Sequence, residues 1–167
     1  NSKYPVINAL TDDYHPCQVL TDLFTMLEYK GKLEGLKMAY LGDGASNMAN
    51  SLMLACQLAG VDIAIAAPEE YRPNEEIMKR NLGAGKCSWT TDPYEAVKDA
   101  DFIYTDVWVS MGFEEEAKER IKVLKPYQLD MAKLKAAKPD AKVMHCLPAH
   151  RGDEITDEVM DCDQSIV

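Results

Sequence analysis

Five short apolar runs, at residues 37–42, 61–67, 86–90, 102–105 and 141–146, alternate with segments of helical periodicity, and that alternation constrains the fold more than any other feature. Residues 17–29 place Val19, Leu20, Leu23, Phe24 and Leu27 at helical spacing, with Pro16 in the favoured first turn. Further helices are expected at 47–58 (stopped by Gly60), 74–82 (closed by Gly83 and Gly85), 93–98, 114–124, 129–137 and 153–160. The apolar residues of 48–58, Leu58 included, read as core. Strands separated by helices imply right-handed β-α-β units, hence a mainly parallel sheet with helices on both faces. Ligands of such sheets bind beyond the carboxyl ends of the strands.

A chain of 167 residues is most simply one domain, large enough to bury about two thirds of its unfolded surface. Its apolar content of 47% and charged content of 28% are those of an ordinary globular protein. The formal charge of −10 repels a phosphate backbone, so nucleic acid is excluded as a partner. No apolar run approaches the ~18 residues that span a bilayer, so no membrane partner is expected. The five cysteines are odd in number and scattered without a C-x-x-C pair, which fits a reducing, cytoplasmic setting and offers no metal site. The chain starts at Asn1 without methionine, lacks a signal-peptide pattern, and stops at Val167 on what reads as the start of a strand. It is therefore expected to be a fragment.

Three polar clusters carry candidate chemistry. His145-Cys146-Leu147-Pro148 ends the last apolar run with an imidazole, a thiol and a proline. Asp106-Val107-Trp108-Val109-Ser110-Met111-Gly112 sets a carboxylate at a strand end, followed by a Ser-Met-Gly turn able to hold the polar end of an amino acid. The same segment also reads as an Asp-led loop with Trp108 packed inside. His15-Pro16-Cys17-Gln18 opens a helix with an imidazole and an amide, either hydrogen-bond donors to developing charge or a capping histidine with a surface glutamine. Gly42-Asp43-Gly44-Ala45-Ser46-Asn47 sits between strand and helix, as a dinucleotide fingerprint does, with Glu69 as the ribose acid. Its third glycine is replaced by Asn47, so a capped βα turn, or Asn47 as a ligand donor, are the other readings. Residues 114–122 read as a solvated helix face with no chemistry assigned.

In this order and spacing, the three clusters resemble the second half of the ornithine carbamoyltransferases, in the aspartate/ornithine carbamoyltransferase family. Phe102-Ile103-Tyr104-Thr105 before Asp106, and Asp157-Glu158-Val159, add to the likeness, which covers essentially the whole chain. The resemblance implies a Rossmann-like, three-layer α/β domain with a mainly parallel sheet of about five strands. It implies that residues 1–167 form the ornithine-binding domain, with residues 1–30 at the junction to a carbamoyl-phosphate domain. The implied reaction moves a carbamoyl group from carbamoyl phosphate to the δ-amine of L-ornithine, giving L-citrulline and phosphate. Cys146, Asp106 and His15 become the catalytic residues. Gln18, Pro16, Cys17, Asn47, Ser110, Met111 and Leu147 join Asp106 and Cys146 in binding substrate. The partners implied are L-ornithine, carbamoyl phosphate and two further copies in a homotrimer, with no metal or organic cofactor.

The family's phosphate clamp, Ser-x-Arg-Thr-Arg, occurs nowhere in the chain, and its late Glu-Asn-Arg segment is also absent. Arg151 is not assigned that arginine's role. The isolated chain is therefore expected to be inactive. Three alternatives stay open: a non-catalytic amino-acid-binding module, half of a putrescine-type carbamoyltransferase, and an NAD-binding domain.

Overall fold

The computed structural model describes residues 3–109 and 114–167, the side chains of 114–116 excepted. Along the chain come α1 (Pro16–Lys30), β1 (Lys37–Leu41), α2 (Asn47–Ala59), β2 (Asp62–Ala66), α3 (Glu75–Met78), β3 (Cys87–Thr90) and α4 (Pro93–Val97). They are followed by β4 (Phe102–Thr105), α5 (Glu114–Leu124), α6 (Met131–Ala136), β5 (Lys142–His145) and α7 (Asp157–Met160). The five strands form one parallel sheet in the order β3-β2-β1-β4-β5. The order reverses between β1 and β4, so their carboxyl ends diverge and leave a crevice.

Period-two alternation along the strands divides the interior. Met38, Tyr40, Ile63, Ile65, Phe102, Tyr104 and Met144 face α1, α2 and α3. Ala39, Leu41, Ala64, Ala66, Ile103 and Val143 face α4, α6 and α7. The methionine and aromatic strand residues among these thus lie on one face, while alanines on β1 and β2 let α4 approach closely on the other. The result is a three-layer, Rossmann-like α/β domain. Among the described residues no helix is long and apolar enough to cross a membrane.

Local signals set the helix ends. Pro16 opens α1, and Gly31 closes it in a left-handed turn (φ 70°) whose N–H bonds the Leu27 carbonyl. The Ser46 hydroxyl accepts from Ala49 N–H and caps α2. Three expectations need correcting. The helix expected over 74–82 stops at Met78, because Gly83 and Gly85 lie hard against the Cys56–Val61 backbone instead of ending a longer helix. The helix expected over 153–160 begins only at Asp157, since Glu154 is drawn inside the protein and Thr156 supplies the cap. Leu58, read as core, stands 66% exposed on the outer side of α2.

Candidate active site

The carboxyl ends of β1, β4 and β5 and the start of α1 enclose a cleft of about 700 Å³. Each wall follows from a local rule. After β1, Gly42 takes φ 132°, and a side chain there would meet Trp108 Nε1 at 3.0 Å. The chain then turns through Asp43, whose Oδ1 accepts Ala45 N–H at 2.8 Å, into the capped start of α2. Asn47 lines the cleft and donates from Nδ2 to the Thr11 carbonyl at 3.0 Å. A Cβ on Gly44 would lie 2.8 Å from the Tyr71 carbonyl oxygen, so this glycine answers to packing against residues 71–73 rather than to a phosphate. The turn is the capped βα turn of the second reading, and Asn47 borders the cleft.

Beyond β4, Asp106 Oδ1 accepts from Val107 N–H at 2.7 Å and from the Cys146 thiol at 2.9 Å. Burial raises the Asp106 carboxyl above its ordinary value, against the two hydrogen bonds that favour its anion. Burial, reinforced by the adjacent carboxylate, pushes the Cys146 thiol far above the usual range, so it is a neutral donor and not a thiolate. Beneath them Tyr40 and Tyr104 stack with ring centroids 6.2 Å apart, and burial raises both phenols.

His145 stands behind the cleft. Its Nδ1 accepts Leu147 N–H at 2.8 Å, and its Nε2 meets Glu154 Oε1 at 3.0 Å. Nδ1 is thereby the acceptor and Nε2–H the donor, which fixes the neutral ring. This pair holds the 145–147 turn, in which Leu147 adopts φ 56°, a left-handed conformation costly for a leucine.

The structure gathers His15, Asn47, Asp106, Cys146 and Leu147 around one cleft. The His15 N–H is tied to Ser51 Oγ at 2.8 Å, while its ring Nδ1 is buried without a hydrogen-bond partner. The imidazole makes no side-chain cap, and the His15 cluster opens α1 with no strand before it among the described residues. Pro16 borders a separate apolar groove with Val19, Leu20 and Leu54. Cys17 Sγ contacts the Asn8 carbonyl at 3.7 Å, and Gln18 Nε2 donates to Asp22 Oδ1 at 3.0 Å. Ser110 and Met111 lie outside the described residues.

Three charged cleft residues, Asp12, Asp43 and Arg120, were given no role by the sequence reading. Arg120, on a helix assigned no chemistry, pairs with Asp43, donates to the Trp108 carbonyl and lies 4.5 Å from the centroid of the Tyr71 ring. Nothing distinguishes it from its charged neighbours until the fold places it, whereas Asp43 was visible between two glycines. Arg151 pairs at the surface with Asp157 (3.0 Å) and Asp161 (2.7 Å), away from the cleft. Asp12, Asp43 and Asp106 outnumber Arg120, so the cleft suits a ligand bearing an amine. Among the described residues no cluster of three or more His, Cys, Asp or Glu is placed to hold a metal.

Residues 34–167 match the family model described as aspartate/ornithine carbamoyltransferase, Asp/Orn binding domain. The chain belongs to that family. Residues 1–28 match the companion model, the carbamoyl-P binding domain, so the cleft takes His15 from one matched segment and Asn47, Asp106 and Cys146 from the other. The chain is similar to ornithine carbamoyltransferases of Methanoculleus marisnigri (56% identical; 98% of this chain, 53% of the relative) and Renibacterium salmoninarum (55%; 100% and 55%). Its fold superposes on the ornithine carbamoyltransferase from Pyrococcus furiosus with a TM-score of 0.94 at 50% identity, over 99% of this chain and 54% of that one. The Giardia lamblia ornithine transcarbamoylase still gives 0.86 at 29% identity, over 95% of this chain and 55% of that one. The chain spans about half the length of the curated relatives it matches.

Proposed function

We propose that this chain supplies the ornithine-binding half of a carbamoyltransferase that converts carbamoyl phosphate and L-ornithine to L-citrulline and phosphate. The observation that carries this reading is the Cys146–Asp106 contact at 2.9 Å on the floor of an acidic cleft. An alkylammonium must lose a proton before it can attack, at a cost of about 4 kcal/mol at pH 7.4. The δ-ammonium of ornithine gives up its first proton to solvent, and Asp106 orients the resulting amine. The neutral amine then attacks the carbamoyl carbon as the bond to the phosphate oxygen breaks, and that electron pair leaves with phosphate. The nitrogen's surplus proton passes to Asp106, directly or by way of Cys146, which gives its own proton to Asp106 as it accepts one. A buried carboxylate with raised proton affinity is suited to that transfer. His15 supports the carbamoyl oxygen and Asn47 the ornithine end, and close approach of amine and carbon contributes several kcal/mol more. Gln18, Ser110, Met111 and Leu147 complete the substrate contacts, Pro16 and Cys17 shaping the segment that carries Gln18.

The carbamoyl-phosphate half docks on the apolar surface formed by Val6, Ile7, Leu10, Leu20 and Phe24, all at least 59% exposed within or beside the segment that matches its family model. Residues 1–30 are then the junction, and the whole assembly is a cytoplasmic homotrimer. The five unpaired cysteines fit that compartment. The deciding experiment mixes the chain with a carbamoyl-phosphate half prepared from a relative and follows citrulline. Citrulline is expected from the pair and not from the chain alone, and Asp106→Asn is expected to lower the rate about 100-fold. Ornithine binding without citrulline would leave an amino-acid-binding module, and putrescine used in place of ornithine would reassign the acceptor.

A further inference from the structure

Asp22 is a buried acid that the proposed reaction does not use. It stands on α1 at 4% exposure, one turn beyond Gln18 and two beyond His15, on the same helical face. Its Oδ1 accepts from Gln18 Nε2 at 3.0 Å, and its Oδ2 has no hydrogen-bond partner. Tyr104 on β4 brings its hydroxyl close enough to favour the ionised carboxylate, short of hydrogen-bond geometry. The titratable groups around it are His15 from α1, Tyr104 from β4, Cys146 from beyond β5 and Cys56 from α2. No lysine or arginine is among them.

An amide has a donating end and an accepting end, and an ionised carboxylate tolerates only the donor. With Nε2 committed inward, Gln18 Oε1 is free to accept. Its complement is the amide N–H of a carbamoyl group, not the carbonyl oxygen. We propose that Asp22 is a positioning residue: it locks the Gln18 amide nitrogen inward so that Gln18 presents an acceptor to the carbamoyl amide, and its protonation releases the lock. The use of the amide rests on the carbamoyl-transfer reading above; the lock itself does not. Burial pushes the Asp22 carboxyl up to about 6, so release falls within reach of mild acid. A protonated Asp22 can donate to Oε1 and accept either face of the amide.

The test is a titration of the Gln18 side-chain amide by proton–nitrogen correlation NMR on the nitrogen-labelled 167-residue chain, from about pH 8 to pH 5, assigned by its loss in Gln18→Glu. Both Nε2 protons are expected to shift with a midpoint near 6 in the unaltered chain and to stay flat in Asp22→Asn. An amide that does not titrate in the unaltered chain overturns the proposal, whether or not the variant folds. So does a titration that survives Asp22→Asn. In the citrulline assay, Asp22→Asn is expected to raise KM for carbamoyl phosphate about tenfold, the worth of one charge-assisted hydrogen bond, with KM for ornithine unchanged. Equal effects on both substrates overturn the assignment of the acceptor. An inactive unaltered pair fails the transferase reading instead, and the amide titration still decides the lock.

Discussion

Asp22 and Asp106 are carboxyls of opposite legibility. Asp106 stands out in sequence because it follows a strand-like run and precedes the sequence Ser-Met-Gly, whereas Asp22 is one acid within a helix and shows nothing until the helix is packed. Its burial has an energetic consequence. A folded-state value near 6 against an ordinary 3.8 means that the native state binds the proton more tightly. Stability contributed by Asp22 is therefore present at low pH and lost as pH rises from about 4 to 6, leaving a penalty of about 3 kcal/mol at neutrality. Asp22→Asn removes that buried charge and is expected to raise stability at pH 7.5 by up to about 3 kcal/mol, and to flatten the profile between pH 4 and 6. Urea unfolding at pH 5 and 7.5 checks this; a variant less stable at 7.5 would contradict it. Arg120 shows the opposite limit: a cleft residue indistinguishable in sequence from the charged positions beside it.

At the scale of elements, strands were easier to read than helix ends. Near-continuous apolar runs report burial on both faces directly, and all five expected strands pair. Helix ends depend on which polar groups compete for the backbone. Glu154 lies inside a segment with helical spacing, yet its carboxylate meets His145 Nε2 at 3.0 Å and His150 N–H at 2.5 Å, and α7 starts three residues later. Gly85 was read as a helix stop but serves contact: an added Cβ would lie 2.3 Å from the Val61 carbonyl oxygen and 2.6 Å from that of Cys56. Both are backbone atoms that cannot step aside. Gly85→Ala is accordingly expected to cost about 3 kcal/mol, measured by urea unfolding, while Gly31→Ala, with open space around its Cβ, costs only its left-handed backbone, about 1 kcal/mol.

For the whole molecule, charge and apolar surface pull in opposite directions. A net charge of −10 opposes self-association, while Leu20 and Phe24 stand 65% and 59% exposed on α1 beside an apolar groove of about 390 Å³. The isolated chain is expected to self-associate through that face, more strongly as salt screens the charge. Leu20→Asp with Phe24→Asp is expected to restore a monomer in sedimentation velocity without loss of thermal stability, because neither side chain is buried. Association that persists in the double variant would place the contact elsewhere.

The sequence by itself determined the layered α/β architecture, the number of strands and the residue types of His15, Asp106 and Cys146, which the fold brings to one cleft. Those properties follow from local periodicity and from residue types, which act over a few neighbouring positions. The tertiary structure alone decided that Asp43 and Arg120 pair across the cleft, that Glu154 holds His145, and that the face of α1 bearing Asp22 is buried. Each joins positions on different elements, or turns one side of a helix inward. Burial then determines the outcome, because a carboxyl costs little in water and several kcal/mol where water is excluded.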